Sequence, residues 1–134
     1  MVPLRAKAMA LTVEREFKGK AISLRAEPIG EDLLLILTGG DRAHVGSCLL
    51  AEPHEGLHPG DPPGATTSVL NRLKHLDDLV GREAAEKVSV AMGSPVALVC
   101  GIHYDEITPQ EIDQIVSLCR DMTGELIAAL KGAL

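Results

Sequence analysis

Apolar residues recur with two different periods along this chain. Ile22, Leu24 and Ala26 alternate with Ser23, Arg25 and Glu27, the period of two that predicts a strand with one solvated face. Leu11, Val13 and Phe17, spread among charged residues, predict an earlier half-exposed strand starting near residue 11, with Gly19 as the turn between them. Pro28 and Gly30 end the second strand. Residues 33–37 form an unbroken apolar run bounded by Gly30 and by Gly39 and Gly40, the pattern of a buried strand. Gly39, Gly40 and Asp41 read as a tight turn, because glycine supplies the positive φ that hairpin turns need. A fourth strand over 45–51 returns from it, with Gly46 marking a bulge or a close backbone approach. The expectation is four early strands in meander order.

The second half changes period. Leu76, Leu79, Val80, Ala84, Val88 and Met92 recur at helical spacing, with Asp77 and Asp78 at the start and Gly93 as C-cap. Residues 95–102 are a second continuous apolar run, read as a central strand, so part of the sheet is parallel. Thr108, Pro109 and Glu111 spell a capping box with proline in the first helical position. The stripe Ile112, Ile115, Cys119, Met122, Leu126 and Leu130 then predicts a long C-terminal helix. Between the halves, 52–67 is rich in proline and glycine and reads as a long loop, with a short extended piece over 66–70. The predicted fold is α/β with α+β character: a mixed sheet of about five strands, an N-terminal antiparallel meander followed by helix–strand–helix. Residues 1–134 form a single domain in this reading, with 1–10 as an N-terminal arm.

Composition narrows the function classes. A chain of 134 residues has the commonest size of a single domain and needs neither disulfide nor metal to fold. Phe17 and Tyr104 are the only aromatics, and the net charge is −6. Nucleic acid is gripped by basic stripes and stacked aromatics, so it is excluded as a partner. Cys48, Cys100 and Cys119 form no CxxC pair and sit in apolar runs, which predicts buried, reduced thiols and a cytoplasmic setting. The expectation is no signal peptide and no membrane span, since the apolar runs are too short.

Four places carry candidate chemistry. In 38–46, Gly39 and Gly40 can present backbone N–H groups to an anion, Arg42 can pair with a phosphate, and Asp41 and His44 can hold a polar ring edge or a metal. Spacing alone favours a plain hairpin turn, since neither GxxxxGK[ST] nor GxGxxG is present. His103, Tyr104 and Asp105 follow the central strand, where ligands gather in α/β sheets, and suit acid–base work. A strand end followed by a turn explains them equally well. His75 near a helix start can face an anion, but a solvated cap residue is the favoured reading. His54 and His58 are four apart, but their proline-rich surroundings are not helical, which leaves them weak metal candidates.

Three pieces together carry a resemblance: 35–46 (LILTGGDRAHVG), His75 with Asp77 and Asp78, and 101–105 (GIHYD) before 108–112 (TPQEI). In this order they resemble the LpdD-like prenylated-flavin chaperones, over roughly 12–130. That family accompanies UbiD-type decarboxylases, which use prenylated FMN to remove CO2 from unsaturated and aromatic acids. The resemblance implies a non-catalytic accessory protein that binds prenylated FMN (or FMN) and assists its delivery to, or maturation in, the decarboxylase. Gly39, Gly40, Asp41, His44, His75, His103 and Asp105 would then line or support the site, with Arg42 on the phosphate. The shortage of aromatics runs against it, because a flavin ring invites stacking. Two rivals stand beside it. One is a small metal- or acid–base-dependent enzyme using Asp41, His44 and His103. The other is a structural subunit that binds a partner through the C-terminal helix. Self-association is expected in any of these, because an exposed sheet edge gains by pairing.

Overall fold

Alternation decides which side of each strand meets the helices. In the computed structural model, which describes residues 10–72 and 78–132, Val13, Ile22, Leu24, Ala26, Leu33, Leu35 and Leu37 all point to one buried face. They lie on β1 (Leu11–Phe17), β2 (Lys20–Ile29) and β3 (Asp32–Gly40), an antiparallel meander. β4 (Ser47–His54) and β5 (Gly64–Asn71) form a hairpin, followed by α1 (Asp78–Met92), β6 (Val96–His103) and α2 (Pro109–Gly132). Both helices cover the same buried face, α1 over β4, β5 and β6 and α2 over β1 and β2.

The sheet has six strands in the order β1-β2-β3-β6-β4-β5. The expected α/β class, mixed sheet and N-terminal meander are present, but the meander holds three strands rather than four. β6 inserts between β3 and β4, parallel to the first and antiparallel to the second. Its continuous apolar run is best placed with strands on both sides, and nothing local in the sequence reports that. The short piece expected over 66–70 is the full strand β5, paired with β4 along eight residues. Its exposed Thr66 and Ser68 hid the alternation. β4 and β5 also reach into both ends of the predicted loop, leaving 55–63 as the connection.

The stripe on α2 is core: Ile115, Cys119, Met122, Leu126 and Leu130 are buried against the sheet and α1. α1 approaches the sheet closely at Gly81, where a Cβ would stand 3.0 Å from a Leu98 methyl and 3.1 Å from Cys100 Cβ. Burial of the thiols holds for Cys100 and Cys119 but not for Cys48, which is exposed on the uncovered side of β4. The burial that surrounds Cys119 pushes its thiol up to about 12, which keeps it protonated and unreactive.

The capping box forms as predicted. Glu111 N–H donates to Thr108 Oγ1 at 3.1 Å, and Thr108 N–H donates to Glu111 Oε1 at 2.9 Å. The Thr108 N–H, and then Lys18, hold the Glu111 carboxyl below its ordinary value. A lowered pKa means that this contribution is present above the usual carboxylate range and fades as pH falls through the lowered value. Thr108→Ala is expected to cost about 1 kcal/mol, read as a lower urea midpoint at unchanged slope.

Candidate functional site

The chain must travel from β3 to β4 around the end of β6, and that requirement builds the site. Residues 41–46 run along the carboxyl end of β6 and bond to it. Asp41 N–H and Arg42 N–H donate to His103 O at 2.7 and 3.3 Å, His44 N–H to Gly101 O at 3.4 Å, and Gly46 N–H to Cys100 O at 2.9 Å. The hairpin expected at Gly39-Gly40-Asp41 is therefore a crossing segment. The N–H groups of Asp41, Arg42, His44 and Gly46 thus serve β6, while the Arg42 side chain stays exposed. Two glycines make the crossing possible. Gly40 has φ +84°, and a Cβ on it would stand 2.2 Å from His103 O. A Cβ on Gly101 would stand 1.6 Å from His44 O.

The crossing gathers the polar residues. His103 Nε2 lies 3.1 Å from Asp105 Oδ1, and Asp105 N–H donates to Asp41 Oδ2 at 2.9 Å. The His44 and His103 rings meet edge to face with centroids 6.3 Å apart. Arg42 is exposed and enters no ion pair among the described residues. Asp41, His44, His103 and Asp105 thus form one connected group beside Gly39 and Gly40, with Arg42 on the same segment. His75 and Asp77 lie outside the described residues.

Tyr104 does not join the acid–base set. Its hydroxyl donates to Phe17 O at 2.9 Å, and its ring packs edge-on to Phe17 with centroids 5.7 Å apart. Burial, and then the charge of Asp41, push the phenol above its ordinary value. The chain's only two aromatics are thereby committed to each other.

Beside His103 opens a groove of about 260 Å³ between the starts of α1 and α2, walled by Leu79, Val80, Ile102, Ile107, Ile112, Ile115 and Val116, with Tyr104 at its base. Sequence reasoning placed Leu79, Val80, Ile112 and Ile115 in core stripes and Ile102 in a strand, and missed the groove. The available signal was surplus: Leu79 is 65% and Ile112 48% exposed, so each stripe is wider than the sheet can cover. A larger hollow of about 560 Å³ lies at the opposite end of the sheet, walled by the 55–63 connection itself. There His58 pairs with Asp61 at 3.2 Å, and His54 bonds Glu55 O at 2.9 Å. Among the described residues no three His, Cys, Asp or Glu side chains are grouped to hold a metal, and no helix is long and apolar enough to cross a membrane.

The sequence pattern of the prenylated flavin chaperone LpdD-like domain matches residues 16–131. Protein LpdD of Lactiplantibacillus plantarum is 22% identical over 121 residues, covering 90% of this chain and 85% of the relative. The chain is also similar in shape to a chain from the crystal structure of a novel chaperone complex for yeast 20S proteasome assembly. That likeness has a TM-score of 0.50 at 14% identity, covers 89% of this chain and 97% of the other, and is one of fold alone.

Proposed function

The chain belongs to the LpdD-like prenylated flavin chaperone family, and from that premise we propose that it binds prenylated FMN in the cytoplasm and passes it to, or matures it in, a UbiD-type decarboxylase. The observation that carries this reading is the junction of an apolar groove with a polar strand-end group. The groove's 260 Å³ falls below the roughly 300–1,000 Å³ of sites that enclose a whole ligand, so it suits one apolar end of a larger molecule. His44, His103 and Asp105 offer polar contacts beside it, and Arg42 offers the fork geometry that matches a phosphate. With Phe17 and Tyr104 paired together, the flavin ring would rest on aliphatic and imidazole surfaces. A shallow, aromatic-poor seat fits a protein that must release its cargo. Bound prenylated FMN supplies decarboxylation chemistry only in the partner enzyme; this chain's residues hold and orient it.

The test is an anaerobic titration with prenylated FMN, followed by desalting. A shifted flavin absorbance and retained cofactor are expected. Arg42→Ala is expected to weaken binding by about 10- to 100-fold, the loss of a charge-assisted hydrogen bond pair, while leaving affinity for the dephosphorylated flavin unchanged. Equal losses for both ligands would remove Arg42 from the phosphate. No affinity for prenylated FMN or FMN, oxidised or reduced, would end the proposal. The small-enzyme alternative, which used Asp41, His44 and His103, is not favoured: the matched family is one of chaperones.

A further inference from the structure

A strand with one wet face alternates, whereas a strand covered on both faces reads as a continuous apolar run. Residues 33–37 and 95–102 are such runs, and they are the neighbouring central strands β3 and β6. The helices cover only one side of them. On the other side Leu34 pairs with Ala97 and Ile36 with Val99, and β4 and β5 extend the patch through Leu50 and Leu70, 45% and 76% exposed. The sequence thus prepares this face for a second layer that the described residues do not supply.

We propose that the second layer is the same face of a second copy, giving a β-sandwich dimer with the helices outside. Six strands about 4.8 Å apart and about six residues long present a face of roughly 30 by 20 Å. With side-chain relief this approaches the ~800 Å² per partner of a standard interface. The charges favour a copy in one orientation. Glu14 and Glu16 lie on this face at the β1 edge, while β5 at the other edge presents Thr66 and Ser68. A two-fold axis parallel to the strands lays β1 over β5 of the second copy and keeps the acids apart. It also lays β3 over β6 of the second copy, so that the two apolar runs face each other. A perpendicular axis would set β1 against β1.

Sedimentation of the full chain at micromolar concentration tests this, together with the reaction of Cys48 with a thiol reagent. Cys48 lies within the patch, opposite Val99, whereas Cys100 and Cys119 are buried in a single chain. Wild type is expected at twice the 14.2 kDa chain mass with Cys48 protected. Combined Leu50→Lys and Leu70→Lys, both at exposed positions, should halve the mass and speed Cys48 modification at least tenfold, with an unchanged far-ultraviolet circular dichroism spectrum. A wild-type monomer overturns the proposal. So does a dimer with freely reactive Cys48, or Cys48 protection that appears only when a decarboxylase is added.

Discussion

Gly101→Ala is expected to unseat the 41–46 segment and to abolish flavin retention while leaving the rest of the fold standing. The new Cβ would sit 1.6 Å from His44 O and 2.4 Å from its carbonyl carbon, and these are backbone atoms that cannot rotate away. The segment must lift off β6, which breaks or lengthens the bonds to Gly101 O and Cys100 O. Overpacking of this kind costs about 1–3 kcal/mol, and each lost bond adds about 1 kcal/mol. The total of about 3–5 kcal/mol does not exceed the stability of a typical domain, so the variant should fold with a lower urea midpoint. Binding suffers more than stability, because His44 and Arg42 ride on the displaced segment. A variant that melts like wild type and still retains prenylated FMN would show that the segment does not seat the ligand.

Leu98→Ala should give the largest loss of stability. Leu98 is 1% exposed at the centre of the sheet, facing α1 at its point of closest approach. The neighbours that could relax into the space belong to a strand hydrogen-bonded on both sides and to a helix already packed through Gly81. Collapse of the cavity is therefore limited, and the cost falls in the range of about 2–5 kcal/mol. Calorimetry should show Tm lowered by about 10 °C or more. A shift of only a degree or two would mean that α1 is free to settle onto the sheet.

Much of this was legible wherever the cause is local. The alternation over 22–26 records a face buried under α2, and Thr108 with Glu111 records a helix start whose two bonds close within four residues. The polar group was legible as residue types, since Asp41, His44 and His103 fall where strands end. What escaped was set by distant partners. The glycines at 39–40 look like a hairpin because the same positive φ serves a hairpin and a crossing, and only β6, some sixty residues later, decides between them. Cys48 looked buried because its neighbours are apolar, yet they belong to an uncovered face. The groove was hidden because its walls are the ends of two stripes that are core elsewhere. The order of motifs pointed to the family although no single motif did, and the match over 16–131 bears it out.

The placement of β6 also fixes an order of events during synthesis. β3 and β4 leave the ribosome with facing edges unpaired, and their partner arrives only with residues 96–103, Leu33 waiting for Val96. Until then the nascent chain is a meander and a hairpin with a gap between them, each presenting an edge that invites a wrong strand. Sheet closure is a single late insertion with contacts across nearly half of the chain, the kind of step that makes folding slow. The crossing segment that seats the candidate site gives its backbone N–H bonds at Asp41, Arg42, His44 and Gly46 to β6, so the site takes shape with the last strand.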